Sequence, residues 1–318
     1  MTAKKAIQFF KFCSFLSLCL ALLPFLCGCS NSLTSDQIAT LKANERFWQW
    51  QSSYGTFNIH YVEKGQGTRH VILLHGLAAN TYTWHYLTGP LAKAGYHVWS
   101  LDLLGYGLSD KPETAAYGLE LFTAQIKAFM QDRGIEQAHF IGNSMGGGLA
   151  LSMAIFHPQN ARSLTLIDAL GYPLQLPLPL KISRLLGKAM PPLFNNFIMR
   201  QALEQIVYDP RTITDKQVAA YSTPLKMPGG KEAFAATLQS FDNEQIEWLS
   251  QHYSHIHIPT LLIWGSQDQW IPLSHYQQFL HDFPHTQAMI ISNCGHIPQE
   301  ECPQRVLEAI LHFLSQFP

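Results

Sequence analysis

Charge is scarce in this sequence. Only 14% of its 318 residues are Asp, Glu, Lys or Arg, and 21 basic against 22 acidic side chains leave a formal net charge of −1. That balance excludes a nucleic-acid partner, because neutralising phosphates takes a basic excess. Disorder is excluded too, since hydrophobic residues make up 47% of the chain. No Cys or His spacing repeats as zinc ligands require, so no metal site is expected and no cofactor is implied. His252, His255 and His257 cluster without a Cys or carboxylate at ligand spacing and read as surface residues. There is no internal repeat.

Acidic residues are missing altogether before Asp36. Lys4, Lys5 and Lys11 precede an apolar run from Phe12 to Leu26, the layout of a secretory signal. The run is close to the lower limit of roughly 17–25 residues for a spanning helix. Leu26-Cys27-Gly28-Cys29 then resembles a bacterial lipobox, with Cys27 in place of the usual Ala or Ser. The resemblance implies a signal peptide over residues 1–28, lipidation of Cys29 and export to a bacterial membrane, with Ser30 pointing to the outer one. Intact-mass detection of acyl chains on Cys29 is the measurement that checks it. Without residues 1–28 the chain has 18 basic and 22 acidic side chains, so the membrane contact would be the lipid rather than charge. Residues 29–44 read as a polar tether. Cys294 and Cys302 remain, either as a pair or as two buried thiols.

Beyond the tether, short apolar β-rich runs alternate with longer amphipathic ones, the pattern of a parallel sheet flanked by helices. Strands are expected at Phe57–Val62, Val71–Leu74, His97–Leu101, Ala138–Ile141, Ser163–Ile167, Thr260–Trp264 and Ala288–Ile291, and helices at Thr83–Ala94, Leu119–Asp132, Met145–Phe156, Ser274–Asp282 and Gln304–Ser315. The alternation stops between Gly171 and Ile258, where Pro-rich apolar sequence gives way to helical segments. The expected class is therefore α/β: a mostly parallel doubly wound sheet in two parts, residues 45–170 and 259–318, with a helical cap over 171–258.

The strongest chemical signal is Gly142-Asn143-Ser144-Met145-Gly146 between a strand and a helix. A serine on so sharp a turn needs small residues two before and two after it, and the helix N-terminus behind it suits a developing negative charge. Two more polar residues follow later strands. Asp268 sits in Gly265-Ser266-Gln267-Asp268-Gln269-Trp270-Ile271-Pro272, and His296 in Asn293-Cys294-Gly295-His296-Ile297-Pro298. Groups outside the carboxyl ends of parallel strands converge. A serine hydroxyl needs a base to take its proton, and an imidazole oriented by a carboxylate is suited to that.

Together with Leu74-His75-Gly76-Leu77, Asp102-Leu103-Leu104-Gly105-Tyr106-Gly107-Leu108-Ser109, and Pro298, Glu301 and Pro303 after His296, these motifs resemble the α/β-hydrolase superfamily over nearly all of residues 55–318. The resemblance implies Ser144 as nucleophile, His296 as base and acid, Asp268 as the orienting carboxylate, and an oxyanion hole from the backbone N–H groups of Met145 and of Leu77, or Ala78 in place of Leu77. Asp168, at another strand end, is the rival acid. His75 and Asp102 read as loop supports, and Trp84, Trp264 and Trp270 as packing, with Trp270 a candidate pocket wall. A serine at the turn sets aside the dehalogenases and epoxide hydrolases, which use Asp there. The expected activity is hydrolysis of a small-molecule carboxylic ester with an apolar acyl group, favoured by the apolar residues of 171–199. Alternatives on the same triad are C–C bond hydrolysis of vinylogous diketones, which Gly-Asn-Ser-x-Gly-Gly resembles, perhydrolysis and acyl transfer. A silent binding lipoprotein is the reading outside enzymes.

Overall fold

The computed structural model describes residues 32–175, 181, 184, 185, 195–283 and 286–317. The expected signal peptide, Cys29 and the apolar cap residues Leu176, Leu178, Leu180, Leu186, Met190, Leu193 and Phe194 lie outside them. In chain order the elements are α1 (Ser35–Lys42), β1 (Arg46–Ser52), β2 (Gly55–Lys64), β3 (Arg69–Leu74), α2 (Thr88–Lys93), β4 (Tyr96–Leu101), α3 (Leu119–Asp132), β5 (Ala138–Asn143), α4 (Met145–Phe156), β6 (Ala161–Ile167), α5 (Asn196–Ile206), α6 (Asp215–Leu225), α7 (Gly230–Ser240), α8 (Asn243–Ser250), β7 (Thr260–Gly265), α9 (Leu273–Asp282), β8 (Gln287–Ile291), α10 (Pro298–Glu301) and α11 (Pro303–Leu314).

The eight strands form one sheet in the order β1-β2-β4-β3-β5-β6-β7-β8. Pairings β1 with β2 and β2 with β4 are antiparallel, and all others are parallel. Period-two alternation divides the side chains between two faces. In β3, Ile72 and Leu74 join a core with Phe122, Phe129 and Leu149 of α3 and α4. Val71 and Leu73 join the opposite core with Leu91 of α2 and Val306, Ile310 and Phe313 of α11. Both faces are covered, as a parallel sheet requires. The class expected from the sequence is the one observed.

Three expectations need correction. Strand β1 had no place in the sequence reading, although Trp48 and Trp50 alternate with Gln49 and Gln51 and are buried where the hairpin lays them on α3. The helix expected over Thr83–Ala94 is a 3-10 turn at Thr81–Trp84 followed by short α2, because Pro90 has no N–H to carry a continuous ladder past Gly89. The tether over 29–44 contains a helix at Ser35–Lys42. Thr34 and Gln37 close a capping box on α1, the Leu33 N–H donates to the Lys226 carbonyl at 3.2 Å, and Lys42 pairs with Asp110 at 3.5 Å. Reciprocal capping supplies what a helix with no buried residue lacks in packing.

Helices α5 to α8 occupy the insertion between β6 and β7. One apolar cluster joins Met199, Leu203, Val218, Tyr221 and Phe234 of these helices to Ala79 and Ile297. The cap therefore packs on two loops at the carboxyl end of the sheet, those after β3 and β8.

Candidate active site

Ser144 stands between β5 and α4 with φ 55 and ψ −119, a strained conformation for a residue with a Cβ. Such strain costs about 1–3 kcal/mol and persists only where its surroundings fix it. Here they do. The Ser144 N–H donates to the Ile167 carbonyl at 3.1 Å, and its carbonyl accepts from Gly147, Gly148 and Leu170. The strand and helix around it approach so closely that a Cβ on Gly142 would stand 2.2 Å from the Gly146 carbonyl oxygen. One on Gly146 would stand 2.0 Å from that of Leu74. Only glycine fits either place.

The loops after β7 and β8 bring the other two residues together. His296 Nδ1 and Asp268 Oδ2 are 2.8 Å apart, and both side chains are buried. The other Asp268 oxygen accepts from the N–H groups of Trp270 at 2.7 Å and Ile271 at 3.1 Å. Burial opposes charge on Asp268, but the imidazole and these donors hold its carboxyl below the ordinary range. The His296 loop is tied to the serine turn through Asn143, whose amide donates to the His296 carbonyl at 3.0 Å and to that of Ile167 at 3.1 Å. His296 Nε2 has no hydrogen-bond partner among the described residues, so the ring nitrogen facing away from Asp268 is free. The Trp270 ring stacks on the imidazole at 6.0 Å, which puts it beside the site as expected of a wall.

Gly76 lies against the serine, since a Cβ there would be 3.2 Å from Ser144 Cβ. The loop with Leu77 and Ala78 therefore flanks the turn, and Ala78 has a positive φ of 59. Met145 begins α4, so its N–H lacks a helical partner and is available to an anion. His75 supports this loop as expected. Its Nδ1 bonds the Gly76 carbonyl at 2.8 Å and its Nε2 accepts the Leu103 N–H at 3.1 Å, with burial keeping the ring neutral. Asp102 likewise fixes its turn, accepting from the N–H groups of Thr81 at 2.7 Å and Leu108 at 2.8 Å. Trp84 and Trp264 are fully buried packing residues. Cys294 and Cys302 are free thiols.

Three features go beyond the roles expected from the sequence. Asp168, read as the rival acid, does not bond the imidazole but lies beside Asp268. Glu300 takes hydrogen bonds from Thr83 at 2.6 Å, from the Tyr221 hydroxyl and from Gln217 at 2.8 Å, joining the loop after β8 to the cap. Burial pushes its carboxyl up to about 7 against the pull of those donors. Glu301 accepts from the N–H groups of Gly295 at 2.8 Å and Tyr208 at 2.7 Å, and the His296 N–H donates to the Ile206 carbonyl at 2.7 Å, so the histidine loop is clamped to the end of α5. Their signal was the acidic pair at 300 and 301, of which only Glu301 belongs to the quoted pattern.

Among the described residues, the only trio of His, Cys, Asp or Glu with ligand atoms close enough for a metal is Asp168, Asp268 and His296, and its imidazole is already engaged by Asp268. A surface cleft of about 510 Å³ lined by Lys127, Met130, Gln137 and Asn160 lies at the amino end of β5, the opposite edge from these loops. No helix among the described residues is long and apolar enough to cross a membrane.

A sequence profile described as "alpha/beta hydrolase fold" matches residues 69–303. The chain is 29% identical over 291 residues to a 2-hydroxy-6-oxononadienedioate/2-hydroxy-6-oxononatrienedioate hydrolase of Paraburkholderia xenovorans, covering 89% of this chain and 100% of the relative. It is 30% identical over 286 residues to the enzyme of the same description from Cupriavidus pinatubonensis, covering 88% and 98%. Among solved structures, a meta-cleavage product hydrolase from Pseudomonas fluorescens (CumD) superposes with a TM-score of 0.74 at 26% identity, covering 82% of this chain and 96% of that one.

Proposed function

Because the chain belongs to the α/β-hydrolase fold family, we propose that it is a serine hydrolase in which Ser144, His296 and Asp268 cleave the carbon–carbon bond beside a ketone in a conjugated 2-hydroxy-6-oxo dienoate. The observation that carries this reading is likeness over 88–89% of the chain to hydrolases described as acting on such compounds, combined with a paired His296 and Asp268 next to a strained serine.

In this reading Ser144 Oγ attacks the ketone carbon while its proton passes to His296 Nε2. The oxyanion is held by the N–H groups of Met145 and of Leu77 or Ala78, each worth about 100- to 1000-fold in rate. For the bond to break, the 2-hydroxyl proton must first move to C5, giving the 2,6-dioxo tautomer. Collapse then breaks the C5–C6 bond, its electron pair is taken up by the conjugated 2-oxo chain as a dienolate, and that dienolate receives the proton from His296. Water then frees the acyl group from Ser144 with His296 as base. No cofactor enters any step.

The relatives' printed substrates carry two carboxylates. Here several cations of the cap and the β4 loop are committed elsewhere: Arg200 to Asp215 and the Ile213 carbonyl, Arg211 to Asp209, and Lys111 to the carbonyls of Tyr106, Gly107 and Ser109. The cluster joining cap and catalytic loops is apolar. Both facts favour an apolar group on the ketone side over a second carboxylate. They also favour the second reading, hydrolysis of an ester with an apolar acyl group, which needs no anion site. Each methylene buried in such a pocket would gain about 0.8 kcal/mol.

One panel decides. It contains a 6-phenyl dienoate, a 6-carboxyalkyl dienoate and nitrophenyl esters of increasing chain length. The first reading expects the highest kcat/KM on the 6-phenyl compound. Esters turned over far faster than either dienoate would transfer the conclusion to the second reading, and a preference for the dicarboxylate would remove the apolar pocket.

A further inference from the structure

Two carboxyl groups meet beneath the histidine. Asp168 follows β6 directly, is fully buried and holds a positive φ of 43. Asp268 lies in the loop after the neighbouring strand, β7. A carboxyl oxygen of each and a ring nitrogen of His296 all lie within 4.8 Å of one another. The only ion pair either acid makes among the described residues is that of Asp268 with His296.

Their surroundings are unequal. Asp268 receives three N–H donors, from His296, Trp270 and Ile271. Asp168 receives one, the Gly265 N–H at 3.0 Å on Oδ1, while Oδ2 is buried with no donor turned to it. Two carboxylates side by side in a dry interior cannot both be ionised when a single imidazole faces them. The proton belongs where donors are missing. An oxygen that carries its own hydrogen needs no donor, and the cluster places a carboxylate oxygen of Asp268 beside the Asp168 carboxyl as its acceptor, within 4.8 Å.

We propose that Asp168 is a neutral carboxylic acid that donates its proton as a hydrogen bond to Asp268, extending the triad by a fourth group. The inference rests on the triad reading above. Asp168 is a positioning residue: it fixes Asp268 toward His296 Nδ1 and spreads the charge of that carboxylate without touching substrate. Burial first, and then the charge of Asp268, push the Asp168 carboxyl well above the ordinary range, in agreement with this arrangement. The positive φ is one that Asp and Asn tolerate better than bulkier residues do.

The test uses the whole chain near neutral pH. Infrared spectra in D2O should contain the carbonyl stretch of a neutral carboxylic acid that disappears in Asp168→Asn. In kinetics, Asp168→Ala should lose tenfold or more in kcat, and Asp168→Asn should restore the greater part, because its amide can still donate to Asp268 and accept from Gly265. The acidic limb of the kcat profile in Asp168→Asn should coincide with that of the unaltered protein, since one neutral group replaces another. An ionised Asp168 would give no lost infrared band and would move that limb to lower pH by a unit or more, which overturns the proposal. So would an Asp168→Ala variant as active as the unaltered protein. The infrared result stands whether or not any offered substrate is turned over, so its failure is separate from failure of the triad reading.

Discussion

Among the described residues, two buried aspartate–histidine pairs occur at nearly the same distance. His60 Nδ1 lies 2.7 Å from Asp102 Oδ2, and His296 Nδ1 lies 2.8 Å from Asp268 Oδ2. They differ at the far side of the ring. His60 Nε2 is met by Glu45 at 3.1 Å, so that imidazole is held between two acids and has nothing left to exchange. His296 Nε2 has no partner among the described residues, and its loop is bonded to the turn that carries Ser144. A buried acid next to an imidazole is thus a structural brace when both nitrogens are used, whereas one free nitrogen beside a serine turn is what a general base would require. The environments also set charge differently. Burial works against the His60 imidazolium, but the combined pull of Asp102 and Glu45 raises its pKa above the ordinary value.

Exchanging the same atoms in each pair should break the likeness. Asp268→Asn should lower kcat by about four orders of magnitude through loss of the orienting carboxylate. Asp102→Asn should leave the kcat of the folded fraction within about tenfold. Removing one partner of a buried pair costs about 3–5 kcal/mol of stability in either variant, seen as a lower urea midpoint, so activity rather than stability separates the two. Equal losses of activity in the two variants would erase the distinction.

A smaller effect follows from Glu300, which sharpens the comparison because it too bridges elements without a catalytic role. Its carboxyl titrates near 7 in the folded protein and near 4.3 when unfolded. The folded state therefore binds the extra proton between those values, so this group's contribution to stability is greatest in acid and falls as pH rises through that window. Glu300→Gln should flatten the decline by about 1–3 kcal/mol between about pH 5 and pH 8, measured by denaturant unfolding. His60 acts in the same direction, since a raised histidine pKa stabilises below about 6.5 and the benefit is lost as pH rises through the folded value. Asp102 acts in the opposite one, being held low by its partners and losing its contribution only in strong acid. An unchanged pH slope in Glu300→Gln would contradict the bridging role.

The serine turn, the strand-end places of Asp268 and His296, and most of the sheet were legible because they rest on local rules. Short β-rich runs alternate with helices, glycines two before and two after Ser144 mark a close approach, and Asp268 and His296 follow strands in order. What escaped reading depends on contacts between distant residues. The bond from Asn143 to the His296 carbonyl spans 153 positions, and that from Thr83 to Glu300 spans 217. Asn143, part of the motif that resembles the C–C hydrolases, spends its amide on backbone carbonyls and so carries no information about substrate. Strand β1 was missed because its alternation is short, with only Trp48 and Trp50 buried, and helix α1 because its support is capping rather than a hydrophobic face.

The central claim is that Ser144, and no other hydroxyl, is the nucleophile served by the free nitrogen of His296. Reaction of the full chain with a fluorophosphonate, followed by intact mass and peptide mapping, tests it directly. The account predicts one adduct, on the peptide bearing Ser144, absent from Ser144→Ala and strongly slowed in Asp268→Asn. A folded protein that takes up no label, or a label mapped to any other residue, would contradict it.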